Sequence, residues 1–361
     1  MTGTTSFVLS RPSGTVRGTG VAARFASVAA ARSALGGDAA VIAGLLAFDT
    51  AAPAALLAPE RWSFRPEPLA PRPPAAVVPA DSSLTPPGVH RERVEAALRI
   101  IGAGGAEKIV LAREATLRFA APVDPDALTA AFADGAGQSA VFAAQTADGG
   151  WLIGASPELL VRRSGRVVTC HPLAGSAARQ RDPDLDTAAA ASLAASDKDL
   201  REHAFVVDDI VARLAPLCED LDVPAVPVLS STPEMWHLAT PIRGILRDDP
   251  PRRDTATALD LAALLSPTPA VCGTPRAAAA AAIAEIEGPR EFYGGAVGWC
   301  DARGDGEWLV SIRCVQIDPG HRVARTWAGG GIVAGSDPAA EVAETDAKFR
   351  TAFRALGIDP R

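Results

Sequence analysis

Strands in this chain come in hairpin groups, and that grouping limits the folds open to it. The run "REFYGGAVGWCDARGDGEWLVSIRCVQI" reads as strands turning at Asp305-Gly306, a pair suited to a tight hairpin. "AVFAAQ", "WLIGASPELLVRR" and "RVVTCHPLAGS" form a second strand-rich block. Helices fall between these blocks and do not alternate with single strands, so an α+β fold with mainly antiparallel sheet is expected. The triplet "GGG" at 329–331 lacks the spacing and the βαβ surroundings of a dinucleotide fingerprint, and reads as a glycine loop after one more strand.

The helices are legible from apolar periodicity. One is predicted over about 89–103. It precedes a strand in which Ile109, Leu111, Arg113, Ala115 and Leu117 share one face and Lys108, Val110 and Ala112 the other. Others are predicted near 125–134, over 197–218 and over 256–265. In the 197–218 helix, Leu200, Ala204, Val207, Val211, Leu214 and Cys218 make the apolar stripe. In "SDPAAEVAETDAKFR", Asp337 is an N-cap and Pro338 suits the first helical position. Residues 53–88 hold many of the 30 prolines and read as an irregular surface connection with short edge strands, inside a single domain spanning 1–361 whose core is 89–355.

A net charge of −7 argues against a general nucleic-acid binder or a polybasic membrane protein. No apolar run approaches a membrane span, and "MTGTTSFVLSRPSG" has no signal-peptide core, so a cytoplasmic protein is expected. Five scattered cysteines without a CxxC fit reduced thiols. With no HExxH and only five scattered histidines, a metal here needs carboxylate ligands, which favours Mg²⁺ or a similar hard ion.

Several residues have two readings on local grounds. Glu341, Glu344 and Lys348 form either a solvated salt-bridge face or half of a metal site. Glu202 sits in a helix half that is apolar nearly all round. It either pairs with Lys198 or an arginine, or joins Glu341 and Glu344 around one Mg²⁺. Lys108 either snorkels to solvent or is held against apolar surface, where desolvation lets it act as a base. Glu158 in "GASPELL" is either a surface-turn carboxylate or a buried acid with a raised pKa. His237 in "EMWHLATPIRG" reads as a core histidine, and Arg313 in "WLVSIRCV" is flanked by strand residues, with a planar fork able to grip a carboxylate.

Taken in order, "EKIVLAR", "GASPELL", "PLAGS", "SDKDLREH", "MWHLAT", "PTPAVCG", "FYGGAVGWCD", "GDGEWLVSIR", "AGGGIV" and "EVAETDAK" closely resemble the motifs of the chorismate-utilising enzymes, and among them the isochorismate synthases. The resemblance covers about 89–355, with "FVLSRPSGTVRGTG" similar to the family's opening hairpin. It implies antiparallel sheets sandwiched between helices. It also implies Mg²⁺-dependent addition of water at C2 of chorismate with loss of the C4 hydroxyl. Lys108 is then the base that activates water, and Glu158 the acid that protonates the leaving hydroxyl. Glu202 and Glu344 become Mg²⁺ ligands, with Glu341 close by or acting through water. Gly175, Ser176, His237, Ala270, Tyr293, Arg313, Gly329, Gly331 and Lys348 would line the substrate, one of whose two carboxylates Arg313 and backbone N–H groups take.

Ser266 stands where isochorismate synthases often carry histidine. A salicylate synthase, which goes on to eliminate pyruvate, is the alternative within the family. Ala270 leaves a small apolar surface where those lyases tend to carry a hydroxylated residue. Ammonia-using relatives usually lack the lysine, so no glutamine amidotransferase partner is expected, and the enzyme is expected to act as a monomer. A non-catalytic regulator is disfavoured by Lys108 and Glu158 together. The onward use of isochorismate is left open between a siderophore, another secondary metabolite and menaquinone.

Overall fold

A computed structural model describes residues 4–74, 78–248 and 256–358. Two large antiparallel sheets dominate it. The first runs Gly273–Thr274, Lys108–Arg118, Val323–Val333, Cys314–Ile317, Trp151–Ser156, Ala140–Gln145, Thr5–Arg11, Gly14–Thr19 and Arg61–Arg65, with Asp81–Leu84 also pairing with Lys108–Arg118. The second runs Cys218–Asp222, Ile242–Leu246, Val167–His171, Leu159–Ser164, Gly306–Val310, Ala296–Asp301, Val41–Leu46, Ala55–Ala58 and Ala23–Phe25. A small third sheet joins Leu173–Ala178, Met235–Ala239 and Val228–Ser231.

The sheets face each other across Phe7, Leu9, Leu45, Phe142, Leu152, Val297 and Leu309. Each outer face is closed by helices. Pro125–Ala133 and Pro338–Ala355 pack on the first sheet through Leu128, Phe132 and Ala352. Pro87–Gly102 and Arg276–Ile286 cover its Ile109–Leu111 end. Asp197–Leu214 and Ala258–Leu265 cover the second sheet. This is the α+β arrangement that the hairpin grouping and the resemblance imply.

Four local expectations are corrected. Ala55–Ala58, inside the proline-rich stretch, is a fully buried strand of the second sheet, not a surface edge. The glycines at 329–331 lie within the strand Val323–Val333, where pairing with Lys108–Arg118 overrides their weak strand preference. The helix Asp197–Leu214 stops one turn early, since Cys218 begins a strand. Its buried stripe is Glu202, His203, Val206, Ile210 and Leu214, rotated from the apolar one because polar side chains on this face find partners inside. Helices Pro183–Ala194 and Arg276–Ile286 were not foreseen, the latter because an alanine run carries almost no hydrophobic contrast. The five cysteines are buried and free of disulfides. Among the described residues, no helix is long and apolar enough to cross a membrane.

Candidate active site

The site forms where the third sheet and two helices close over the end of the first sheet. Lys108 opens its strand and points to the face it shares with Val110, while Ile109 and Leu111 pack beneath the covering helices. Its side chain is fully buried, and Nζ lies 3.1 Å from Glu202 Oε1. Glu202 therefore pairs with Lys108, and Lys198 is left to pair with Glu341 at 3.3 Å. Lys348 takes Glu344 one turn away and donates to the Gly329 carbonyl at 2.7 Å. Ser176 Oγ donates to Glu344 Oε1 at 2.8 Å.

The glycines make this packing possible. Gly329, Gly330 and Gly331 pair with Ala112, Leu111 and Val110. A Cβ on Gly331 would collide with Glu202 Oε1 and sit 2.8 Å from Lys108 Cε; one on Gly330 would sit 2.6 Å from Glu341 Oε2. Three carboxylates thus converge on one strand because it has no side chains there.

The structure places Glu158 with Pro157 between the strands Trp151–Ser156 and Leu159–Ser164, and it is 2% exposed. Burial raises its carboxyl to about 8, against the weaker pull of the Leu173 backbone, Lys108 and Lys348. It is protonated at neutral pH. His237 pairs with Ser176 across the small sheet. Burial, then the charges of Arg313 and Lys348, hold its ring well below the usual range, so it is neutral. Arg313 is flanked by strands, as the sequence implies. It sits at φ 51° between Gly306–Val310 and Cys314–Ile317, a left-handed turn that swings the buried guanidinium into the cleft with Nη1 unpartnered.

One cleft is lined by Glu158, Gly175, Ser176, Glu202, His237, Ala270, Tyr293, Arg313, Gly329, Gly331, Glu344 and Lys348. Lys108 and Glu341 lie behind this lining, Lys108 against Glu202 and Gly331, Glu341 against Gly330. Ser266 is off the cleft. It caps the helix Ala258–Leu265 and lines a separate cavity with Asp49 and Thr50. Wall residues missed in the sequence include Trp327, which stacks on Tyr293 at 5.4 Å between ring centroids. An aromatic two residues before the glycine triplet was the available signal.

The donor set suits a hard cation. Glu341 Oε2 is buried without a partner, and burial together with the Glu344 charge raises that carboxyl to about 7. Glu202 adds to the same repulsion. Among the described residues, no three ligand side chains stand close enough together to hold a metal, and each of these carboxylates is paired with a lysine.

Comparison with known proteins gives one consistent family. The profile described as chorismate binding enzyme matches residues 59–357. A Mycobacterium tuberculosis chain, provisionally named isochorismate synthase MenF, is 46% identical over 363 residues, spanning 98% of this chain and 96% of the relative. Isochorismate synthase DhbC of Bacillus subtilis is 47% identical over 280 residues, 76% of this chain and 69% of its own length. The solved structure of MenF, the menaquinone-specific isochorismate synthase from Escherichia coli, superposes with a TM-score of 0.85 at 27% identity, over 99% of this chain and 89% of that one. With a family match across most of its length and a fold shared with a solved member, this chain belongs to the chorismate binding enzymes.

Proposed function

We propose that this protein is an isochorismate synthase that converts chorismate to isochorismate and depends on Mg²⁺. The observation that carries the reading is Glu158, a buried carboxyl on the cleft wall held protonated up to about pH 8. Hydroxide is a poor leaving group, and a neutral carboxylic acid can donate its proton as the C4 hydroxyl departs. Lys108, once released from its pair with Glu202 and as the neutral amine, takes a proton from the water that attacks C2, while Glu158 gives one to the departing hydroxyl. One water enters, one leaves, and the product is an isomer of the substrate.

Arg313 offers its free Nη1 to a substrate carboxylate, with Lys348 nearby to balance the dianion. Neutral His237 and Ser176 bound the ring without adding charge. Glu202, Glu344 and Glu341 would hold Mg²⁺, which when bound supplies positive charge for the other carboxylate. The relatives' names, isochorismate synthases in each case, support this branch of the family.

The test is to incubate purified enzyme with chorismate and Mg²⁺ and resolve the products by chromatography. Isochorismate should accumulate. A salicylate peak growing with pyruvate, and no added lyase, would assign a salicylate synthase instead. Unconsumed chorismate would overturn both.

A further inference from the structure

We propose that Arg290, which does not line the cleft, is a positioning residue that sets the cleft's width by tying three of its walls together. The strand Lys108–Arg118 has an interrupted outer edge. Gly273–Thr274 pairs only with Lys108 and Ile109, and Asp81–Leu84 only with Ala115 to Arg118. Side chains bridge part of the gap. Arg290 Nη2 donates to the Val110 carbonyl at 2.7 Å, and Glu287 accepts from the Ala112 N–H.

The same guanidinium reaches two further walls. Nη1 donates to the Val271 carbonyl at 2.7 Å, and the cation lies 5.8 Å from the Tyr293 ring centroid. The Tyr293 N–H also donates to the Arg290 carbonyl at 3.0 Å. Val110, Val271 and Tyr293 all line the cleft. Arg290 is 3% exposed, rests over Phe48 at 4.7 Å, and is neutralised by Glu287, which accepts from Nε and Nη2 at 2.9 Å each. Only a planar fork of several donors spans two carbonyls and a carboxylate at once; a lysine ammonium holds one or two of them on a flexible stem. Tyr293 passes the constraint on to Trp327 through their stack.

This rests on the proposed reaction, and two variants separate positioning from mere structure. Arg290→Lys keeps a charge beside Glu287. The double variant Glu287→Gln with Arg290→Met removes the buried pair together, which is far milder than orphaning one partner. For folded protein we expect kcat for chorismate to fall about 10²-fold in both, with KM rising about tenfold or less, as for reacting groups displaced by about 1 Å. A purely structural arginine would lower only the melting temperature.

Either variant, folded and turning over at the wild-type kcat, overturns the proposal. So does failure of both to fold, which would make the role structural alone. Wild-type enzyme that leaves chorismate unchanged fails the proposed reaction, not Arg290. The arginine is then judged by calorimetric affinity for chorismate with Mg²⁺ present, expected to weaken about tenfold in Arg290→Lys, and an unchanged affinity overturns the role.

Discussion

Glu158 ties chemistry to pH most directly. Its carboxyl is raised from 4.5 to about 8, so the folded chain keeps a proton that the unfolded chain releases. The stability this contributes is complete below pH 4.5 and is lost as pH rises through about 8. Catalysis should follow the same group, with kcat level towards neutrality and falling about tenfold per pH unit above about 8, as the acid loses its proton. Glu158→Gln should lower kcat by about 10²–10⁴-fold and abolish that alkaline limb. Its stability relative to wild type should grow from pH 5 to pH 8, read by denaturant melts. A variant with wild-type turnover would remove Glu158 from the acid role. The residue type and its proline were readable in the chain. Whether the carboxyl is buried, and so shifted, was left open by its local sequence, because desolvation comes from neighbours far away in the chain.

Among the elements, the strand Val323–Val333 and the helix Pro338–Ala355 show how unevenly sequence speaks. The helix begins where Asp337 and Pro338 say it should, since a cap is a local bargain between a side chain and the next turn's N–H groups. The glycine triplet looked like a loop because strand formation there depends on its partner. Gly331→Ala should be severe: the new methyl must displace Glu202 or Lys108. Activity should fall by at least about 10²-fold, as expected if the proposed base Lys108 and the proposed ligand Glu202 are displaced. Gly88→Ala, with nothing within 4 Å of the added methyl, serves as the control and should be neutral or slightly stabilising. Equal activity of the two variants would show that the close approach at Gly331 has no catalytic use.

At the scale of the whole molecule, Glu202 and the pair Glu341 and Glu344 come from helices separated by more than a hundred residues and meet across one strand. Mg²⁺ held there, as proposed, would bind only the folded chain, so saturating ion should raise the melting temperature, by about 2.7 kcal/mol of stability at a hundredfold excess over Kd. Glu202→Gln and Glu344→Gln should each weaken that shift and nearly abolish turnover with the fold intact, measured by thermal melts with and without chelator. Full activity in excess chelator would refute the metal reading. Periodicity, caps, turn residues and ordered motifs determined the fold class, most elements and the residues worth watching, because each depends on neighbours a few positions apart. Which lysine meets which glutamate was decided only by tertiary structure. Lys198 pairs with Glu341, 143 positions away, and leaves Glu202 to the buried Lys108. Interactions between charges, and the cost of burying them, depend on distance through a folded interior of low polarity, and no spacing along the chain encodes that distance.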